Sequence, residues 1–262
     1  MTFDQLLSAG RAGEELVMPP SWAQGRATFG GLVTALIFDR MQNLVAPGRA
    51  MRSMQVSFVA PVEPGVPVTF HADLLREGRA VSQVEGRIVQ KGEPRLVCMA
   101  SFGGDRESAV RVEGLPAPEA APVDHCQGLP YIEGVTPEFT RHIEMRWVFG
   151  NMPFTGKGGR EMGGWMRFRE TPEAISDAHL VALIDAWPAP VLPHLKSRVP
   201  ASSLSWALDI LHPRPAVEPG DWLLYKASID QAGDGYCHFQ ASIWTPRGEL
   251  LALSRQTVTV FG

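Results

Sequence analysis

Val62-Glu63-Pro64-Gly65 and Val217-Glu218-Pro219-Gly220 are the same four residues, written twice in one chain. The next matching turn, Lys91-Gly92-Glu93, returns as Arg247-Gly248-Glu249 at nearly the same offset. Around each copy the order is the same: an apolar helix, a strand entering the turn, then three alternating strands. Repetition at a constant offset implies a duplicated structural unit. Two such units in tandem create an interface, and ligand clefts form preferentially at interfaces of this kind.

Working outward from the first copy, Thr28 to Leu44 places Phe29, Leu32, Val33, Leu36, Ile37, Met41 and Leu44 at helical spacing, which predicts a long amphipathic helix with Thr28 as N-cap. Gly30 and Gly31 fall in its first turn, where each glycine costs about 1 kcal/mol relative to alanine. Their presence therefore predicts a close approach to that backbone. Met51 to Ala60, Val66 to Arg76, Ala80 to Gln90 and Pro94 to Phe102 read as four strands joined by short turns, hence an antiparallel sheet. The helix must lie across one face of it, because neither element can bury its apolar side alone.

Residues 105–134 are rich in Pro, Ala and Glu and break the periodicity, which reads as a linker. The division expected is a first unit over 1–104, the linker over 105–134 and a second unit over 135–262. Ile143 to Phe149 and Gly163 to Arg169 read as strands opening the second unit. Glu173 to Trp187 resumes helical spacing until Trp187-Pro188 stops it. The closing strands are Ser203 to Leu211, Trp222 to Gln231, Gly235 to Trp244 and Glu249 to Phe261.

The chain has 262 residues, 45% hydrophobic and 20% charged, which is enough for two packed cores. A net charge of -4 gives no electrostatic footprint for nucleic acid or an anionic membrane. Cys98, Cys126 and Cys237 are odd in number and widely spaced, so they read as free thiols rather than a disulfide framework or a zinc site. No basic leader precedes an apolar stretch, and no run approaches the roughly 18 apolar residues that span a bilayer. A cytoplasmic location is the expectation.

With these elements in place, the sequence resembles the double-hotdog acyl-CoA thioesterases of the thioesterase II type. The resemblance is carried by Thr28-Phe29-Gly30-Gly31, Arg52 to Phe58 leading into Pro61, Gly164-Trp165-Met166-Arg167, Leu183-Ile184-Asp185-Ala186-Trp187-Pro188, Gly220 to Tyr225, and Ser254-Arg255-Gln256. It implies an α+β fold, a tandem double hotdog in which two long helices are each wrapped by an antiparallel sheet. It implies hydrolysis of a fatty acyl-CoA to free acid and CoA, without cofactor or metal. By the same resemblance the catalytic acid is Asp185, the hydroxyl partner, usually threonine, is Ser203 or its neighbour Ser202, and the amide is Gln256. Ala100 falls at the place of Gln256 in the first half, so one competent site per chain is implied. By analogy a homodimer or higher homo-oligomer is expected.

Thioester hydrolysis needs a water, a base beside it, and donors where charge develops on the carbonyl oxygen. Asp185 would accept the water proton while Gln256 and Ser203 hold the water. Backbone N–H groups of Gly30 and Gly31, at the positive end of a helix, would meet the substrate carbonyl. Each residue also has a plainer reading: Asp185 as a solvent-facing helix carboxylate, Ser203 as a turn hydroxyl with Ser202 and Ser205 as rivals, Gln256 as a sheet-face amide, and the glycine pair as a helix-packing contact. Trp147, Trp165, Trp187 and Trp206 read as core residues, or as walls of an acyl pocket. His194 and His212 lack metal-ligand spacing, and no G-x-S-x-G elbow is present. Gly156 to Gly164, with Lys157 and Arg160, reads as a flexible loop or as a basic loop contacting CoA phosphates. Competing functions on the same scaffold are a non-catalytic acyl-CoA or lipid-binding protein and a hotdog dehydratase.

Overall fold

The computed structural model describes residues 1–13 and 15–261. In chain order the elements are α1 (Phe3–Ala12), β1 (Glu15–Val17), β2 (Ala23–Gln24), β3 (Ala27–Thr28), α2 (Gly30–Gln42), β4 (Ala50–Phe58), β5 (Pro67–Glu77), β6 (Val81–Gln90) and β7 (Glu93–Gly103). They continue with β8 (Gln127–Gly128), β9 (Ile143–Phe149), β10 (Glu161–Phe168), α3 (Asp177–Ile184), β11 (Ala201–Ile210), β12 (Leu223–Gly233), β13 (Tyr236–Trp244) and β14 (Leu250–Val260). Short turns force each strand to run antiparallel to its neighbour, as the four-strand reading of each half requires.

The two halves share one sheet. Its order is β1-β5-β6-β7-β4-β11-β14-β13-β12-β10-β9-β8. Read from the middle outward, β4-β7-β6-β5 mirrors β11-β14-β13-β12, so the duplicated strands are arranged about a seam. At that seam Ser57 pairs with Ser205 and Met54 with Leu208. The outer edges end in β1 and β8, three and two residues long, which leave little open backbone.

Both central helices lie over this sheet and pack on each other through α2 and α3. The picture of two long helices needs correcting, because α2 has 13 residues and α3 only 8. Ser176 starts α3 three residues later than the apolar spacing suggests: its backbone N–H is met by His179 Nδ1 at 3.2 Å, a reciprocal cap. At the other end Ala186 N–H turns back to Leu183 O, and Pro188 prevents continuation. Nor is α2 amphipathic. Residues 31–39 are all buried, whereas Leu44, expected on its apolar face, is exposed beyond its end.

The covering element is α1, which the strand-and-helix reading omitted. Thr2 and Gln5 form a capping box, and Phe3, Leu6, Leu7 and Gly10 make its buried stripe. Phe3 packs on Phe168 and His179, and Asp4 accepts from His179 Nε2 at 2.8 Å, so α1 closes over both central helices. Residues 105–122 carry no helix or strand, yet they are anchored: Leu115 O accepts from Trp244 Nε1 and Ala121 O from Trp165 Nε1. Among the described residues, no helix is long and apolar enough to cross a membrane.

Candidate active site

Asp185 is the C-cap residue of α3, still in a helical conformation, and its side chain turns toward the sheet. There Gln256 Nε2 donates to Asp185 Oδ1 at 2.8 Å. The other end of the same amide, Gln256 Oε1, accepts from Ser203 Oγ at 2.9 Å. Because the serine hydroxyl donates to the amide oxygen, the NH2 end is the one presented to the carboxylate. The three sequence-predicted side chains thus form one line, hydroxyl to amide to acid.

The serine is Ser203 because of a bulge. Between Ser203 and Ser205 the pairing of β11 with β14 slips, leaving Leu204 without a partner. Side chains alternate along a strand, so Ser203 and Trp206, three apart, would otherwise face opposite sides; the bulge restores them to the same side. Trp206 is buried opposite Gln256. Ser202 hydrogen-bonds to its neighbour's carbonyl, and Ser205 is exposed.

Gly30 and Gly31 also come to this place. A Cβ at Gly30 would lie 2.8 Å from Asp185 Oδ2, so only glycine lets the carboxylate approach the first turn of α2. A Cβ at Gly31 would meet Ala182 O of α3 at 2.7 Å, so this glycine is where the two helices touch. The expected N-cap fails in an instructive way. Thr28 lies in β3, its Oγ1 has no partner, and Phe29 occupies the cap position without a side-chain bond. The start of α2 lies instead against the Asp185 carboxylate, and the Gly31 backbone N–H nearby favours the charged form of that acid. Gly30 and Gly31 both fall in the first turn of α2, whose N–H groups have no partner within the helix.

Asp185 is part-buried, and the protein packed around it pushes its pKa up to about 7. Burial away from water dominates; the bond from Gln256 and the nearby Gly31 N–H act the other way. Beside it Tyr225 is buried, and both burial and the Asp185 charge push its phenol pKa up. Tyr225 stacks on Trp187 at 5.8 Å, and Trp187 meets Trp147 at 4.6 Å. Tyr225 and Trp147 are both register partners of Gly164, so Trp187 spans a strand that offers no side chain between them. The Trp147 and Trp187 indole N–H groups are buried without partners. Trp165 is not part of this wall, being bound to Ala121, and Trp206 donates to Ser254 Oγ at 2.9 Å. The sequence reading names Tyr225 only within the Gly220 to Tyr225 motif; the signal for it is its place opposite a glycine pair on the neighbouring strand.

Among the described residues, the first half shows no counterpart of this line. Ala100 is buried between Met54 and Val84. The buried acid of α2, Asp39, is held by two bonds from Arg11, at 2.6 and 2.7 Å. Of the two histidines considered, His194 bonds to Gly159 O at 2.8 Å and His212 is pushed below the usual imidazole range by burial.

Comparison with known proteins bears on the family and the fold. The family model described as the acyl-CoA thioesterase N-terminal domain matches residues 18–103, and the one described as the acyl-CoA thioesterase C-terminal domain matches residues 118–260. Acyl-CoA thioesterase 2 of Haemophilus influenzae is 25% identical over 256 residues, covering 88% of this chain and 86% of its own. Among solved structures, a hot dog fold protein from Alicyclobacillus acidocaldarius superposes with a TM-score of 0.80 at 22% identity, over 95% of this chain and 92% of its own. The tesB protein of Mycobacterium avium subs paratuberculosis gives 0.80 at 17% identity over the whole of both chains. With the family models together spanning most of its length, the chain belongs to the acyl-CoA thioesterase family, a family of thioester hydrolases.

Proposed function

We propose that this protein hydrolyses a fatty acyl-CoA to free acid and CoA, on a tandem double-hotdog scaffold, with a water activated by Asp185. The observation that carries the reading is the hydrogen-bonded line from Ser203 through Gln256 to a carboxylate whose pKa is near 7. A base titrating near neutrality is matched to taking a proton and returning it. Asp185 accepts a proton as the water oxygen bonds to the thioester carbon. The carbonyl becomes an oxyanion, which Gly30 N–H at the start of α2 can meet. When the intermediate collapses, the carbon–sulfur bond breaks and the proton leaves on the CoA sulfur. Water, acyl-CoA, acid and thiol balance without any other reactant.

Gln256 holds the acid and the water in one place, and Ser203 holds Gln256. The test is thiol release from a panel of acyl-CoAs followed with a thiol reagent. Release supports hydrolysis; tight binding without release supports the non-catalytic alternative. Gln256→Ala should lower kcat by roughly a hundredfold, the usual loss for one oriented donor at a reacting group. Ser203→Ala should lose less, and Ser203→Thr should keep most activity because the hydroxyl is retained. Equal rates in Gln256→Ala and the parent would remove the amide from the mechanism.

The division into units over 1–104 and 135–262 joined by 105–134, and a cytoplasmic location, belong to the same proposal. So does a homodimer. With edge strands of three and two residues, a second copy would dock by faces rather than extend the sheet. Light scattering at a monomer mass would end that part of the proposal.

A further inference from the structure

Beside the site, the strand ends of β12, β13 and β14 and the segment after α3 enclose a groove of about 410 Å³, lined in part by Arg160, Val191, His194, Ile229, Tyr236 and Val260. Its relation to the reacting centre is set by register. Ile229 pairs with Phe239, and Phe239 with Gln256. Adjacent strands are about 4.8 Å apart, so the groove opens roughly 10 Å from the amide. Val191 is six residues beyond Asp185 in the chain.

Two loops form the rim and are stitched together. Phe154 N–H bonds to Leu192 O, Gly156 N–H to Leu195 O, and His194 Nε2 to Gly159 O. Gly156, Gly158 and Gly159 have φ of 67°, 64° and 115°, and a Cβ at Gly156 would stand 2.9 Å from the Lys196 side chain. The glycine-rich loop is thus built around the second loop rather than merely flexible. Arg160 anchors it through the Ile229 and Asp230 carbonyls, at 3.3 and 2.9 Å.

The charges on this rim are unbalanced. Lys157, Arg160 and Lys196 have no carboxylate within ion-pair distance among the described residues, whereas most basic groups elsewhere are paired. Of the acids on the neighbouring strand ends, Glu161 is tied to Lys226 and Asp230 to Arg255, leaving Asp234 on the β12–β13 turn. Tyr236 stands 46% exposed in the groove that Arg160 also lines, with Lys157 and Lys196 on the two rim loops. Unpaired Lys and Arg with an open aromatic ring and apolar walls are the chemistry of a phosphorylated nucleotide.

We propose that this groove binds the phosphorylated adenosine end of CoA, with Lys157, Arg160 and Lys196 facing its phosphates and Tyr236 its base. The proposal rests on the hydrolytic reading above for the direction of the thioester: the pantetheine arm would run from the groove toward Gln256 and Asp185. None of these residues belongs to the catalytic line, so binding and chemistry separate experimentally.

The test compares acyl-CoA with acyl-pantetheine, which carries the same thioester and no phosphate, in the parent and in Lys157→Glu/Lys196→Glu. For acyl-CoA the double variant should raise KM roughly tenfold or more with kcat kept, the scale of losing charge-assisted bonds. For acyl-pantetheine both constants should be unchanged. Equal KM for acyl-CoA in the two proteins, or an equal rise for both substrates, overturns the proposal. Titration calorimetry with CoA covers the case in which the parent releases no thiol. That result would end the hydrolytic reading, while weaker CoA binding by the double variant would still support the groove and equal binding would overturn it.

Discussion

Asp185→Asn should lose thioesterase activity by about 10²- to 10⁴-fold, the range contributed by a general base, while melting at an equal or slightly higher temperature. The substitution keeps the shape of the group and its hydrogen bond to Gln256 can be re-formed, but an amide takes no proton from water. Stability is expected to hold because the acid is a burden in the fold. Its pKa is raised to about 7 from an ordinary 3.8. Between those values the native state holds a proton that the unfolded chain has released. Stability from this group is therefore full below about pH 3.8 and is lost as pH rises through about 7, an effect on the order of a few kcal/mol at most. Activity should move the opposite way. If the anion is the base, kcat/KM rises with pH through an apparent pKa near 7, and the rise disappears in Asp185→Asn. A pH–rate profile with thermal melts at each pH reads both; near-parent turnover in the variant would take Asp185 out of the mechanism.

Gly164→Ala should destabilise the protein by about 3 kcal/mol or more. Gly164 sits at a bulge between β9 and β10 with φ of 157°, and a Cβ there would overlap the Arg146 carbonyl oxygen. Gly163 meets the Tyr225 carbonyl in the same way on its other side. Two strands thus approach β10 more closely than any side chain allows, and relief requires breaking pairs on one of them. For a chain of this size the loss corresponds to about 10 °C in Tm, at roughly two to four degrees per kcal/mol. Gly128→Ala is the control. Its Cβ would meet nothing within 4 Å, and it should melt with the parent. Equal melting of the two variants would show that β10 can move away.

The repeat made most of this architecture readable, since turns fixed by Pro and Gly recur at one offset and the strands between them alternate cleanly. The acid, the amide and the paired glycines were readable too, through the resemblance their neighbourhoods carry. What escaped depended on tertiary contact. α1 has a capping box and a four-residue apolar stripe, both visible in the sequence, but its importance lies in covering helices that would otherwise show an apolar face to water. The extent of α3 was overread because Glu173 to Ile175 share its composition, and only the cap at Ser176 decides where it starts. The choice among Ser202, Ser203 and Ser205 turns on one unpaired leucine.

The seam between β4 and β11 has a consequence for how such a site can change over time. Two separate identical chains meeting at an axis must carry the same residue on both sides of it, so any alteration is made twice. Here the partners are covalently one, and each side is free to drift alone. Asp39, clasped by Arg11, and Asp185, held by a neutral amide, are two acids of the central helices in different settings: one is a structural rivet, the other is bound to the amide of Gln256. A single chain carrying both copies can hold the two arrangements side by side.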